Sequence, residues 1–276
     1  MGRSNESLLK AKREKQDEFY TLYEDVENEM QHYDFNGKTI YCPCDDFRWS
    51  NFVKYFRRNF NELGLKRLIA TNYDIGEGAF VYMCDANGEY AFRVDGKGDY
   101  RDYNALRDEA DIIVTNPPFS KWRDFFKWAR VKDCLVVGPI TALHYNEVYP
   151  LLLTTNLKLG YKGHRERIGF YHIDTDGNSV FKPAIWFTTL EVEHKDKFIP
   201  TEAYSPEKYP YYDGTDIIEV KPYNKLPKDY YGKMGVCDTF FFYYPYLDYE
   251  VLERRGDLKL NGKAVYERLI IRRIKK

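Results

Sequence analysis

The sequence predicts an α/β protein built on a mostly parallel sheet with helices on both faces. Residues 111–115 and 134–138 each contain a run of three or more apolar residues in succession, which is typical of strands buried on both faces. Strand patterns alternate with helix patterns along the chain, and this order produces right-handed crossovers between parallel strands. Ligands of such sheets bind at the carboxyl ends of the strands, so we expect the functional residues there.

Composition narrows the class of protein. The chain has 276 residues, 43% of them hydrophobic, which excludes disorder as its main state. Lysine and arginine total 42 against 43 acidic residues, so any nucleic-acid contact must depend on a local basic surface. The five cysteines include no CxxC pair, which predicts a cytoplasmic protein without bound metal. No apolar run is long enough to cross a membrane, so we expect no membrane segment.

The remaining elements follow from periodicity and turn residues. The first 35 residues predict one charged helix, whose apolar stripe comprises Phe19, Leu22, Tyr23, Val26, Met30 and Tyr33. A strand at 38–42, a helix capped by Ser50 and ended by Gly64, a strand at 67–71 and a hairpin over 79–94 follow. Beyond residue 195 the composition shifts to Pro, Tyr, Asp and Lys, with strands at 217–220 and 269–272. We therefore predict two domains, 1–195 and 196–276.

The most specific motif is Asn116-Pro117-Pro118-Phe119, which directly follows the strand at 111–115 and precedes a helix. Two successive prolines hold φ near about −65° and remove two backbone donors, so the loop is stiff. It presents the amide oxygen of Asn116 and the carbonyl of Pro117 as acceptors. Such a loop is suited to binding an amino group.

This tetrapeptide resembles the Asn/Asp/Ser-Pro-Pro-aromatic loop of amino-methyltransferases that use S-adenosylmethionine. Further segments occur in the order found in EcoRI-type adenine-specific DNA methyltransferases, and the chain resembles that family over nearly its whole length. The segments are residues 17–21, 41–46, 50–52, 186–188, 234–236 and 266–268. The resemblance implies a Rossmann-like class I methyltransferase fold and site-specific N6 methylation of an adenine flipped out of double-stranded DNA. It also implies a catalytic domain over 1–195 and target recognition by 196–276.

The resemblance assigns roles to single residues. The catalytic residues are Asn116 and Pro117, which would accept the two N6 hydrogens, Pro118, which stiffens the loop, and Phe119, which would stack on the base. Residues expected at the cofactor are Phe19, Tyr20 and Thr21 near its methionine part, Asp45 and Asp46 at its ammonium group, Asp74 at its ribose, and Asp99 with Tyr100 at its adenine amino group. Residues 44–52 contain no glycine, unlike the glycine-rich loop of most such enzymes. Lys162, His164, Arg165 and Arg167 form the best local basic stretch for DNA phosphates.

Other functions remain open at this point. The same loop chemistry serves RNA adenine N6-methyltransferases and protein-glutamine methyltransferases, and a catalytically inactive DNA-binding module would keep the fold. A cognate restriction endonuclease acting separately would place the chain in a restriction-modification system, whereas a phage or orphan enzyme would act alone. The sequence does not indicate the recognition site.

Overall fold

The computed structural model describes residues 19–154, 157–161, 168–172, 179–192, 199–222, 225–242 and 248–275. The chain divides into two compact units. The first lies within Met1–Glu147 and Leu157–Glu193, and the second within Val148–Asn156 and His194–Lys276. No helix of the described residues combines the length and the hydropathy that a membrane span requires.

The elements of the first unit can be named in chain order. They are β1 (Phe19–Thr21), α1 (Tyr23–Met30), β2 (Thr39–Cys42), α2 (Asn51–Arg58), β3 (Arg67–Thr71), β4 (Ala79–Asp85), β5 (Gly88–Val94), α3 (Asn104–Glu109), β6 (Ile112–Thr115), α4 (Trp122–Ala129), β7 (Asp133–Pro139), β8 (Lys158–Leu159), β9 (Ile168–His172), β10 (Ser179–Lys182) and β11 (Ala184–Thr188). Short 3₁₀ turns cover Tyr100–Tyr103, Phe119–Lys121 and Ile140–His144.

An eight-stranded sheet forms the centre of this unit, in the order β5-β4-β3-β2-β6-β7-β11-β8. Strands β3, β2, β6 and β7 are parallel neighbours, while β11 runs antiparallel to both β7 and β8. Three of the predicted crossover strands, β3, β2 and β6, therefore have their carboxyl ends side by side. The predicted Rossmann-like α/β sheet is confirmed, with parallel strands at its centre. Its two edges are antiparallel, however, and four of the seven strand pairings of the described sheet are of that kind.

Helices cover both faces of the sheet because alternate strand residues point to opposite sides. On one face Ile40 and Cys42 of β2 pack in a large core that includes Val26 of α1 and Phe52 of α2. On the other face Tyr41 packs in a smaller cluster with residues of α3 and α4, such as Leu106 and Trp128. The helices predicted from residue 50 and after residue 121 are thus confirmed as sheet-covering helices, but the first ends at Arg58 and not at Gly64 as predicted.

The predicted N-terminal helix is wrong at its start. Phe19–Thr21 is a strand, paired antiparallel with β9 in a three-stranded sheet β1-β9-β10, and the helix begins only at Tyr23. The backbone amide of Leu22 donates to the carbonyl of Gly169, so a strand partner nearly 150 residues away replaces the helical hydrogen bonds. Residues before 19 lie outside the described part of the chain.

The second unit contains a short helix and a separate sheet. Its elements are α5 (Tyr149–Leu153), β12 (Ile217–Glu219), β13 (Lys233–Val236), β14 (Tyr249–Arg255), β15 (Lys259–Leu260), β16 (Lys263–Ala264) and β17 (Arg268–Arg273). Four of the strands form a mixed sheet in the order β12-β13-β17-β14, and Tyr212, Ile217, Leu258 and Ile270 form a core of its own. The sequence predicted β12 and β17 and missed β13 and β14.

Candidate functional site

Asp45 lies at the carboxyl ends of three parallel strands. It follows β2, and its backbone amide donates to the carbonyl of Thr71 at the end of β3 (2.9 Å). Its carboxylate is buried and accepts two hydroxyl groups, that of Ser50 on Oδ1 (2.6 Å) and that of Thr115 on Oδ2 (2.5 Å). Burial raises the pKa of Asp45 to about 6, although the two hydroxyl donors oppose that rise.

The Asn116 tetrapeptide begins directly after Thr115, the last residue of β6. Asn116 is half-buried, with its amide oxygen shielded from solvent, and Pro117 is buried. Phe119 opens a 3₁₀ turn, and its ring meets that of Phe170 in β9 edge to face at 6.2 Å. The predicted catalytic loop is therefore held against the core.

The strand β1 joins these two features. The side-chain amide of Asn51, in the first turn of α2, donates to the carbonyl of Thr21 (2.8 Å). Thr21 is the β-partner of Phe170, which contacts Phe119. A continuous circuit of contacts thus runs from Asp45 through Ser50, α2, β1, β9 and the tetrapeptide back to Thr115. The structure brings together three of the predicted groups, namely Thr21, Asp45 and Asn116–Phe119.

Two other predicted acids, Asp46 and Asp99, are each held by an arginine two residues later. Both oxygens of Asp46 accept from the guanidinium of Arg48 (2.9 and 2.6 Å), and the Arg48 backbone amide also donates to Oδ1 (3.0 Å). Asp99 makes the same three bonds with Arg101 (2.8, 2.7 and 3.1 Å). The bonds from Arg101 keep the pKa of Asp99 below its usual value. We call these two pairs the Asp-x-Arg clasps.

Asp74, predicted at the ribose of the cofactor, lies three residues beyond the end of β3. Strand β3 stops at Thr71, and the Asp74 carboxylate accepts from the backbone amides of Gly76 and Gly78 (2.8 Å each) and from Lys97 (3.1 Å). The two glycine amides, followed by Lys97, lower its pKa to about 2. In this structure Asp74 organises the turn before β4, and its contact with the ribose remains a prediction.

Tyr100 packs inside an aromatic cluster. Its ring contacts Phe125 at 5.0 Å and Trp128 at 5.1 Å, both edge to face. Burial raises its pKa to about 12. The ring is thus buried among other aromatic rings rather than open for stacking, and its role at the cofactor remains a prediction.

The four predicted acids differ in whether a cation of the protein already neutralises the carboxylate. Asp46, Asp74 and Asp99 each pair with a cation, whereas Asp45 has none within salt-bridge distance among the described residues. A buried carboxylate with only neutral hydroxyl donors gains most from a ligand ammonium group. The hydroxyl of Thr21, which is buried and has no hydrogen-bond partner in the described part of the chain, adds a second polar group on the same circuit. A buried carboxylate and a buried hydroxyl group fit the methionine end of S-adenosylmethionine, which carries an ammonium and a carboxylate group.

Comparison with known proteins decides the family. The family model for the adenine-specific methyltransferase EcoRI matches residues 7–273. The chain belongs to this family of adenine-specific methyltransferases. It is 36% identical to the type II methyltransferase M.EcoRI of Escherichia coli, over 98% of this chain and 97% of that protein. It is 30% identical to M.MgeORF184P of Mycoplasma genitalium and 29% identical to M.MpnI of Mycoplasma pneumoniae, both also type II methyltransferases, over at least 95% of each chain.

Some predicted residues lie outside the described structure, and some important ones were missed. Lys162, His164, Arg165 and Arg167 lie outside the described residues, as do the side chains of Phe19 and Tyr20. Sequence reasoning missed Thr115, because a threonine at a strand end has no distinctive pattern. It also missed Arg48 and Arg101, although their shared Asp-x-Arg spacing was a readable signal.

Proposed function

We propose that this enzyme transfers a methyl group from S-adenosylmethionine to N6 of an adenine flipped out of double-stranded DNA, at a defined sequence. The observation that carries the proposal is the hydrogen bond from the Thr115 hydroxyl to the Asp45 carboxylate. Asp45 is the one predicted acid that has no cation partner among the described residues, and Thr115 directly precedes the tetrapeptide. A donor held at Asp45 and an amino group held at Asn116 would therefore be neighbours. Membership in an adenine-specific family supports the same assignment.

Adenine N6 needs activation because its lone pair is delocalised into the ring. The side-chain oxygen of Asn116 and the carbonyl of Pro117 would accept both amino hydrogens, which draws the nitrogen toward tetrahedral geometry and frees the lone pair. When bound, S-adenosylmethionine supplies an electrophilic methyl group on a sulfonium. Positioned acceptors and a positioned donor account for the chemistry without a covalent enzyme intermediate.

The base and the cofactor need different surfaces. Phe119 would stack on the extruded adenine, and its edge-to-face contact with Phe170 holds the ring in place. Asp45 would bind the ammonium group of the cofactor, with Phe19, Tyr20 and Thr21 as the nearby wall. Asp46, Asp74, Asp99 and Tyr100 are retained as cofactor residues in this proposal, with the clasps orienting Asp46 and Asp99.

DNA recognition is assigned to the rest of the chain. We place phosphate contacts at Lys162, His164, Arg165 and Arg167 and sequence reading in 196–276, because related enzymes share the methylating loop while reading different sites. The type II relatives favour a cytoplasmic enzyme of a restriction-modification system, with a cognate endonuclease that acts separately.

The test is methyl incorporation by the purified chain. Radiolabelled S-adenosylmethionine is offered with unmethylated duplex DNA, with RNA and with a protein extract, and the labelled products are digested and separated. The proposal predicts label in duplex DNA as N6-methyladenine. Label confined to RNA or protein, or cofactor binding without transfer to any of the three, would contradict it.

A further inference from the structure

Thr115 connects the two halves of the proposed site through a single side chain. It is fully buried at the end of β6, its hydroxyl donates to Asp45 Oδ2 at 2.5 Å, and its carboxyl neighbour in the chain is Asn116. Ser50 donates to the other oxygen, Oδ1, at 2.6 Å. The orientation of the carboxylate is therefore set by two hydroxyl groups, one from each side.

The threonine at the end of the neighbouring strand has a different role. Thr71 ends β3 as Thr115 ends β6, and both strands flank β2. The Thr71 hydroxyl donates to the carbonyl of Pro43 (3.1 Å) and pairs with the phenol of Tyr41 (2.8 Å), which are neutral structural contacts. Thr115 instead directs its hydroxyl at a carboxylate. β-Branching alone suits a strand, and valine would provide it equally, so the hydroxyl calls for a separate explanation.

We propose that Thr115 is a positioning residue whose hydroxyl orients the Asp45 carboxylate toward the ammonium group of the cofactor and fixes that carboxylate beside Asn116. The inference rests on the proposed function, because it takes the Asp45 ligand to be S-adenosylmethionine. It adds to the site a residue that acts through Asp45.

The charge of Asp45 makes this role measurable. Its pKa is raised to about 6 by burial, and the hydroxyl donors of Ser50 and Thr115 lower it. The titratable groups around it lie on its own segment, namely Asp46, whose charge raises the pKa of Asp45, and the buried thiol of Cys42. From β6 and from the start of α2, the described neighbours are neutral hydroxyls. Removing the Thr115 hydroxyl should therefore raise the pKa of Asp45 further and leave more of it protonated at neutral pH.

The experiment measures S-adenosylmethionine affinity by calorimetry from about pH 5 to about pH 9, a range that begins below the Asp45 pKa of about 6 and so brackets the carboxyl titration. Thr115→Val removes the hydroxyl at nearly constant volume, Thr115→Ser keeps it, and Thr39→Val is the matched control at the opposite end of β2. Thr115→Val should bind the cofactor about tenfold more weakly near neutral pH, because a hydrogen bond to a charged group is lost. The deficit should shrink as the pH rises. Thr115→Ser and Thr39→Val should follow the unaltered chain.

Two results would overturn the inference. One is unaltered affinity in Thr115→Val, and the other is a deficit that neither shrinks as the pH rises nor is relieved in Thr115→Ser, which would indicate a general packing defect. If Thr115→Val does not fold, Thr115→Ala provides the same pH comparison. If the unaltered chain does not bind S-adenosylmethionine, the proposed function itself fails. If the unaltered chain binds it and Thr115→Val binds it equally well, only the role of Thr115 is removed.

Discussion

At the scale of single residues, four acids predicted at the cofactor have different environments in the fold. Three are neutralised by a cation, in two cases through an Asp-x-Arg clasp, while Asp45 is buried among hydroxyls. The sequence predicted that acids would follow the strands, because an ammonium ligand needs a carboxylate. It left Asp45 and Asp46 equivalent, since the difference depends on Thr115, which is 70 residues away in the chain.

Substitution should separate Asp45 from Asp46. Asp45→Asn keeps the shape of the side chain and removes its charge, so S-adenosylmethionine affinity should fall by about tenfold to a hundredfold. Asp46→Asn should cost less, because its charge is already paired with Arg48. Equilibrium dialysis of both variants provides the comparison, and a larger loss for Asp46→Asn would contradict the assignment.

Cofactor binding should also depend on pH. Below about pH 6 the Asp45 carboxyl of the free protein becomes protonated and loses its attraction for an ammonium group. Affinity should therefore be constant above that pH and fall by up to about tenfold per unit below it. Titration calorimetry on the unaltered chain measures this profile, and Asp45→Asn is the control that should show no such fall. A flat profile in the unaltered chain would argue against Asp45 as the ligand.

At the scale of elements, local pattern predicted the parallel strands and the β4–β5 hairpin well, and it missed strands whose partners are distant in the chain. Strands buried on both faces have continuous apolar runs, so β3, β6 and β7 were readable. Strand β1 was misread as helix because its pairing with β9 is a long-range contact that local periodicity cannot express. In the second unit, β13 was missed because it is only four residues long and contains Gly235, and β14 was missed because four of its seven residues are charged.

The contact between α4 and β7 fixes the helix that follows the tetrapeptide. The Trp122 indole, buried at the start of α4, donates to the carbonyl of Val137 (2.9 Å) and lies against Gly138. A Cβ at residue 138 would lie 2.5 Å from Trp122 Nε1. Glycine at 138 therefore allows the close approach of α4 to the sheet.

Gly138→Ala should destabilise the fold by about 1–3 kcal/mol, because the indole must move to relieve the overlap. Denaturant unfolding measures this cost. Gly256→Ala is the matched control, since a Cβ there meets nothing within 4 Å. Equal midpoints for the two variants would show that the Trp122 contact is more adaptable than the structure indicates.

At the scale of the whole molecule, two units with separate cores divide the proposed work. All described members of the Asp45 circuit belong to the first unit, while the second has its own sheet and a buried ion pair between Arg268 and Glu219 (3.1 Å). Both side chains are 5% exposed. The domain roles stay predictions, and the recognition sequence could not be predicted, because base reading depends on a few side chains placed in a groove.

Breaking this ion pair tests the independence of the units. Glu219→Gln leaves a buried guanidinium poorly compensated and should destabilise the second unit by about 3 kcal/mol. Glu250→Gln, which breaks the exposed pair with Arg272, should cost less than about 1 kcal/mol. Thermal unfolding measures both, and S-adenosylmethionine affinity should be retained in each. A loss of cofactor binding in Glu219→Gln would contradict separate roles for the units.

The most direct test measures both cofactor affinity and the rate of methyl transfer in Asn116→Ala. Cofactor affinity should remain close to that of the unaltered chain, because Asp45, Ser50 and Thr115 are untouched. The single-turnover rate of methyl transfer to duplex DNA should fall by about a hundredfold or more, since an acceptor for the N6 hydrogens is gone. Methyl transfer at the unaltered rate by Asn116→Ala would contradict the account.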